Sequence, residues 1–237
     1  MQSLVRTARA AGLWYLGLAV TGVLGFLLIR PRLFFDGDPS ETLAHLVANE
    51  PLARAGIALE LGIVLTQVLV ALWFYRLFRS VDRFVAGTLV LFGVVNAVAI
   101  LASAAFLATA LDVALGGATA GGGTASLAQL MYLISGNLWG VAAMFFGLWL
   151  IPMGWLVRRS GWMPRLLGML LMVGGVGYLL SAFVLYLLPE AEPLAGALTI
   201  PATLGELWII GYLLIYGVRS SASIDVEQAA GSSAAAP

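Results

Sequence analysis

Residues 55–77 read AGIALELGIVLTQVLVALWFYRL, and residues 84–108 read FVAGTLVLFGVVNAVAILASAAFLA. The break between them carries Arg79 and Arg83, with Arg76 just before it. Each run supplies the ~20 apolar residues that a helix rising ~1.5 Å per residue needs to cross ~30 Å of hydrocarbon. Neither shows the ten-residue alternation of a barrel strand, so helix is the spanning element. An arginine-flanked helical hairpin is the unit from which the rest of the chain is read.

The same rhythm recurs over 11–29, 130–155, 166–188 and 199–218. The fold class expected is all-α: a polytopic membrane helix bundle with six transmembrane helices over residues 1–219. The 130–155 stretch is overlong, which predicts tilting or a kink at Pro152. The Gly/Ala/Thr-rich loop 116–123 reads as flexible. The Ser/Ala/Gly-rich stretch 220–237 reads as a disordered cytoplasmic tail. Arg6 and Arg9 before the first run imitate a signal peptide. The run is long, however, and continues into Leu28-Ile29-Arg30-Pro31 with no small-x-small cleavage site, which reads as a retained anchor.

Composition excludes more than it assigns. Of 237 residues, 61% are hydrophobic and only 10% charged, a surface that suits lipid and not water. Twelve Arg, no Lys and twelve acids balance to zero, which argues against nucleic-acid binding. Without cysteine there are no disulfides, thiol nucleophiles or thiolate metal sites, and the single histidine, His45, precludes a multi-histidine centre within one subunit. Neither a cofactor nor a metal site is expected, and no catalytic residue is assigned.

The arginines give the orientation. Nine (Arg6, Arg9, Arg76, Arg79, Arg83, Arg158, Arg159, Arg165 and Arg219) fall at the two ends and in the second and fourth loops. Three (Arg30, Arg32 and Arg54) share the first loop with Asp36, Asp38, Glu41 and Glu50. The positive-inside rule then places both termini in the cytoplasm of a multi-pass protein of the cell membrane. The first outer loop, about 30–54, contains Pro39-Ser40-Glu41 and an apolar-patterned segment to Val47. It predicts a short helix on the outer surface with Ser40 as N-cap. His45 belongs to that surface.

A weak repeat accompanies the rhythm. Arg9-Ala-Ala-Gly12 and Arg165-Leu-Leu-Gly168 open the first and third hairpins, and Glu60 and Glu206 sit on the returning helices. Arg83 opens the middle hairpin, whose returning helix has Asn137 instead of an acid. Three related hairpins are one reading; that any in-to-out helix begins with Arg is the other, and the simpler.

The stretch Thr7-Ala8-Arg9-Ala10-Ala11-Gly12-Leu13-Trp14-Tyr15-Leu16, the Phe145-Phe146-Gly147-Leu148 segment and Arg159-Ser160-Gly161-Trp162-Met163-Pro164-Arg165-Leu166-Leu167-Gly168 resemble a bacterial membrane family, the domain of unknown function DUF4386. The resemblance covers all but the tail. It implies a bacterial cytoplasmic-membrane protein and a fold, but no activity. It also implies polar or histidine residues in the fourth helix. Here that helix has Ser135 and Trp149, so no histidine mechanism carries over.

Ionisable groups inside spans cost ~2.5–3.5 kcal/mol at mid-bilayer, so each needs a reason. Glu60 lies about 9 Å along its helix from Arg54, and Glu206 about 10 Å from Thr199, at similar depth on the outer side. Gln67 returns to the face of Glu60. Asn96 and Asn137 are added to give candidate ligand- or proton-binding residues Glu60, Gln67, Asn96, Asn137 and Glu206. An outward cavity lined by Glu60, Gln67, Asn137 and Glu206 is one reading; interhelical hydrogen bonding that holds the helices together is the other. Ser135-Gly136 resembles an intramembrane protease serine, but no membrane histidine exists to activate it. Gly136-x-x-x-Gly140 reads as helix packing. The tryptophans, Trp14, Trp155 and Trp162 among them, read as interface anchors.

Two functions follow from the sequence. The first is a non-enzymatic sensor, accessory protein or binder of a small apolar or lipid-like molecule. The second is a small proton-coupled permease using Glu60 and Glu206, for which six helices would need a homodimer. Gly/Pro-broken helices of the transporter kind are not evident.

Overall fold

A computed structural model describes residues 2–116 and 123–219. The flexible third loop and the tail expected from the sequence fall outside the described residues, apart from Gly116 and Gly123. Among the described residues there are seven α-helices: α1 (Gln2–Gly22), α2 (Pro39–Ala48), α3 (Glu50–Phe78), α4 (Arg83–Ala114), α5 (Thr124–Ser160), α6 (Arg165–Leu187) and α7 (Glu192–Ile215). Six helical segments are long and apolar enough to cross a membrane: Ser3–Arg32, Glu50–Phe78, Arg83–Ala114, Thr124–Ser160, Arg165–Leu187 and Pro189–Ile215.

These helices are apolar on every side. Leu65, Leu91, Val98, Val173, Phe183 and Leu207 are exposed, while Ile63, Leu89, Ile100, Leu167 and Ile209 on the same helices are buried. A helix hydrophobic all round belongs in a large core or in lipid. Helices also outrun the expected spans. α7 starts at Glu192 and not near 199, because Glu192 and Pro193 form a first turn suited to the positive helix end and the apolar pattern continues through Pro201. α5 likewise runs through Pro152.

The first apolar helix ends irregularly. α1 passes into a π-helical turn, Val23–Ile29, and then a 3-10 turn, Arg30–Arg32. The Arg30 N–H donates to Gly25 O, five residues back. Pro31 has no N–H to give Leu27 O, and a local π or 3-10 adjustment re-satisfies carbonyls freed in this way. Arg30, expected in the outer loop, is therefore the last turn of a helix.

The chain divides into two compact units. One contains residues 16–68 and 94–143. Within it the end of α1 and the π turn after it approach α3 closely through small residues. A Cβ added at Gly25 would lie 3.2 Å from Leu59, one at Gly56 3.1 Å from Ile29, and one at Gly62 3.2 Å from Thr21. A core of Leu33, Leu46, Ala53, Leu107, Leu111 and Tyr132 joins α2 to the ends of α3, α4 and α5. Residues Pro39–Ala48 form the short helix α2. Its N-cap is Asp38 and not Ser40: the Asp38 carboxylate accepts from Glu41 N at 2.9 Å, and Pro39 takes the first helical position.

The other unit contains residues 2–15, 69–93 and 144–219. Here α6 packs on α5 through glycines: Gly154 faces the backbone of Gly168, and Gly147 that of Gly175. Gly174 and Gly177 face Ala202 and Leu198 of α7. Phe74 meets Tyr15 and Trp149 edge-on, with centroids 5.6 and 5.8 Å away. Trp162, read as an interface anchor, stacks on Phe78 at 6.1 Å.

Candidate functional site

In the first unit, four side chains form a hydrogen-bonded line. Arg30 Nη1 donates to Ser135 Oγ at 2.9 Å, Ser135 and Ser103 hydroxyls lie 2.7 Å apart, and Ser103 Oγ donates to Glu60 Oε1 at 3.2 Å. Trp139 Nε1 donates to the same Glu60 oxygen at 3.1 Å. The direction is fixed by chemistry. A guanidinium only donates and a carboxylate only accepts, so each serine accepts from the arginine side and donates toward the glutamate. Among the described residues Arg30 and Glu60 form no direct ion pair; two hydroxyls carry the polarisation between them.

Arg30 is held from several sides. Nη2 donates to Tyr132 O at 2.8 Å. The guanidinium carbon lies 5.6 Å from the ring centres of Phe26 and Tyr132 and 5.9 Å from that of Phe34, a cation–π setting. A Cβ at Gly136 would stand 3.0 Å from Arg30 Nη2, so this glycine makes room for a guanidinium. The π turn after α1 and the Ser135-Gly136 pair on α5 together create the seat.

Glu60 is only 4% exposed, and its Oε2 has no hydrogen-bond partner among the described residues. Beside it is a crevice of about 10 Å³ lined by Gly25, Ile29, Arg30, Leu33, Gly56, Glu60 and Tyr132, among others. That is about the space of one water molecule. The arrangement suits a proton or a water-sized hydrogen-bond donor.

The domain of unknown function DUF4386 matches residues 10–217. The chain belongs to this family. Neither a curated protein nor a solved structure matches the chain. Every residue of the line from Arg30 to Glu60 falls within the matched DUF4386 region, and so does Glu206.

The structure sorts the five residues expected from sequence. Glu60, Gln67 and Asn96 are buried in the first unit. Asn137 is exposed and does not contribute to a polar interior: two residues on from Ser135 is about 200° around a helix. Glu206 is in the second unit, half-buried, and accepts from Tyr15 OH at 2.6 Å. Arg54 pairs with Glu50 one turn away at 2.7 Å on an exposed face. His45 packs on Phe35 at 4.5 Å.

Ser103 and Trp139 are functional candidates that the sequence does not reveal, and Ser135 stands out there only as a nucleophile. One signal was available: Ser103 lies seven residues from Asn96, on the same helix face. Ser135 is occupied by Arg30 and Ser103, so it has no free base to activate it. A ligand-sized concavity, about 540 Å³, lies in the second unit, lined by Pro164, Trp208, Tyr212, Tyr216 and Arg219.

Proposed function

We propose that this DUF4386 protein is a non-enzymatic, multi-pass protein of the bacterial cytoplasmic membrane, a sensor or accessory subunit whose responsive group is Glu60. The nine-to-three partition of arginines supports an orientation with both termini in the cytoplasm and α2 on the outer side. One observation carries the reading: a buried carboxylate oxygen without a partner among the described residues, beside a water-sized crevice shared with Arg30. A proton arriving at Oε2 would cancel the charge that Arg30 balances and loosen the pull on the two serines. The crevice is far below the ~300 Å³ at which small-molecule pockets begin. A lipid-like ligand therefore fits the groove at Trp208 and Tyr212 better than the Glu60 site.

The test is infrared difference spectroscopy of the reconstituted protein between acid and alkaline buffer. A protonated-carboxyl band that Glu60→Gln removes is the expected result. A spectrum identical in Glu60→Gln ends this reading.

The second reading is a proton-coupled permease, working as a homodimer. It is favoured by a second carboxyl group in an apolar helix, Glu206, with a donor of its own in Tyr15. Proteoliposome flux against pH separates the two. Flux that survives both Glu60→Gln and Glu206→Gln removes the coupling.

A further inference from the structure

A second set of open polar atoms lies one heptad from Glu60. Gln67 and Asn96 are each 2% exposed, and among the described residues Gln67 Oε1, Asn96 Oδ1 and Asn96 Nδ2 have no hydrogen-bond partner. Their level follows from the register of α3 and α4. Glu60 meets Ser103, and a Cβ on Gly93 would lie 3.1 Å from that of Ala71, so the helices run in opposite senses with an almost constant index sum. Seven residues forward on α3 and seven back on α4 convert Glu60 with Ser103 into Gln67 with Asn96. Both pairs return to the same faces after two turns, about 10 Å along the axis. Between the pairs stand Ile63 and Ile100, each 1% exposed.

Something has to answer these atoms. A buried amide left without partners costs free energy comparable to the bonds it lacks, and an apolar helix surrounded by lipid offers no bulk water. A partner copy or a lipid headgroup does not reach atoms with no exposure. A direct amide–amide bond between Gln67 and Asn96 uses one donor and one acceptor and leaves an acceptor open. The complement must be neutral, small, and both donor and acceptor. A buried water typically makes about 3 hydrogen bonds, which matches the three open atoms.

We propose that Gln67 and Asn96 form a second binding site, occupied by at least one buried water and separated from the Glu60 crevice by the Ile63–Ile100 pair. The site stands on its own geometry. Its role rests on the reading of Glu60 given above: it is the hydrated station from which a proton crosses to Glu60 when the two isoleucines part.

Radiolytic hydroxyl labelling of the protein in lipid nanodiscs, in ¹⁸O-water, tests the site directly, because a bound water generates its radical where it sits. The expected result is ¹⁸O incorporation at Ile63, Ile100 and their neighbours, severalfold above that at the buried Leu89 of α4. Asn96→Leu and the double variant Gln67→Leu/Asn96→Leu should reduce it to that background. Labelling in the wild-type protein no higher than at Leu89 overturns the proposal, and this arm needs no variant to fold. Labelling unchanged in the double variant also overturns it. Glu60→Gln keeps the failures apart: the incorporation persists there if the site is real, whereas the carboxyl band tests Glu60 alone.

Discussion

Arg30 reaches Ser135 across 105 residues of sequence, at 2.9 Å, and so ties the last turn of the first apolar helix to the N-terminal third of α5. The bond is the first of three that end on Glu60. A cation and an anion are placed at the two ends of a hydroxyl pair, which compensates both charges without a direct contact.

Removing one end of that line should be worse than removing both. Arg30→Met strips donors from Ser135 and Tyr132 O and leaves Glu60 without its balancing charge. A loss on the order of 3 kcal/mol is expected. Glu60→Gln in the same background should restore part of it, about 1–2 kcal/mol of coupling. Thermal unfolding in detergent across the four proteins measures this. Additive losses would show that the two charges do not sense each other.

The serines should behave as a unit. Ser103→Ala takes one donor from Glu60 and leaves Ser135 with nowhere to send its proton, for about 1–2 kcal/mol. Ser135→Ala should cost more, since Arg30 Nη1 then loses its acceptor too. The double variant is expected to cost clearly less than the sum. Equal and additive effects in unfolding midpoints would argue for two unrelated hydroxyls.

Two glycines of α5 separate soft from hard close contacts. At Gly136 an added Cβ meets the end of a flexible side chain, Arg30 Nη2, which gives way by a few tenths of an ångström. Gly136→Ala should cost about 1 kcal/mol and weaken the bond to Tyr132 O. At Gly154 the Cβ would strike the backbone oxygen of Gly168. Backbone cannot retreat cheaply, so Gly154→Ala should cost about 3 kcal/mol or more. The order of the two unfolding midpoints decides the point.

The six apolar helices were legible because a membrane's thickness imposes one length on them and apolar residues leave no ambiguity of class. Glu60 was legible for a related reason: a charge in such a helix is costly and conspicuous. Which partners it meets was not. Arg30 sits where the apolar run stops, and only the π turn before Pro31 brings it back against α5. Ser103 and Ser135 are small residues with no signature of their own, and proximity between α4 and α5 is what gives them meaning. Asn137 shows the converse error. It looks the more polar neighbour of Ser135, yet the helical angle turns it outward. Residue type announced where the costly groups are, but helix phase and packing determined which of them meet.

Tyr15 and Glu206 offer a simpler case against which the longer line is measured. The phenol donates to Glu206 Oε1 at 2.6 Å, and among the described residues no ion pair reaches this carboxyl. Tyr15→Phe keeps the ring, and with it the edge contact to Phe74, while deleting the donor. A loss of about 1.5–3 kcal/mol is expected, the range for a bond to a charged acceptor. Glu206→Gln retains an oxygen that accepts from Tyr15 and drops the charge, so it should cost less than Tyr15→Phe. Should Glu206→Gln instead be the more damaging change in thermal unfolding, the carboxylate's charge would have to be balanced by something other than Tyr15. The bond would then be an accessory, and the permease reading would lose its second donor-equipped acid.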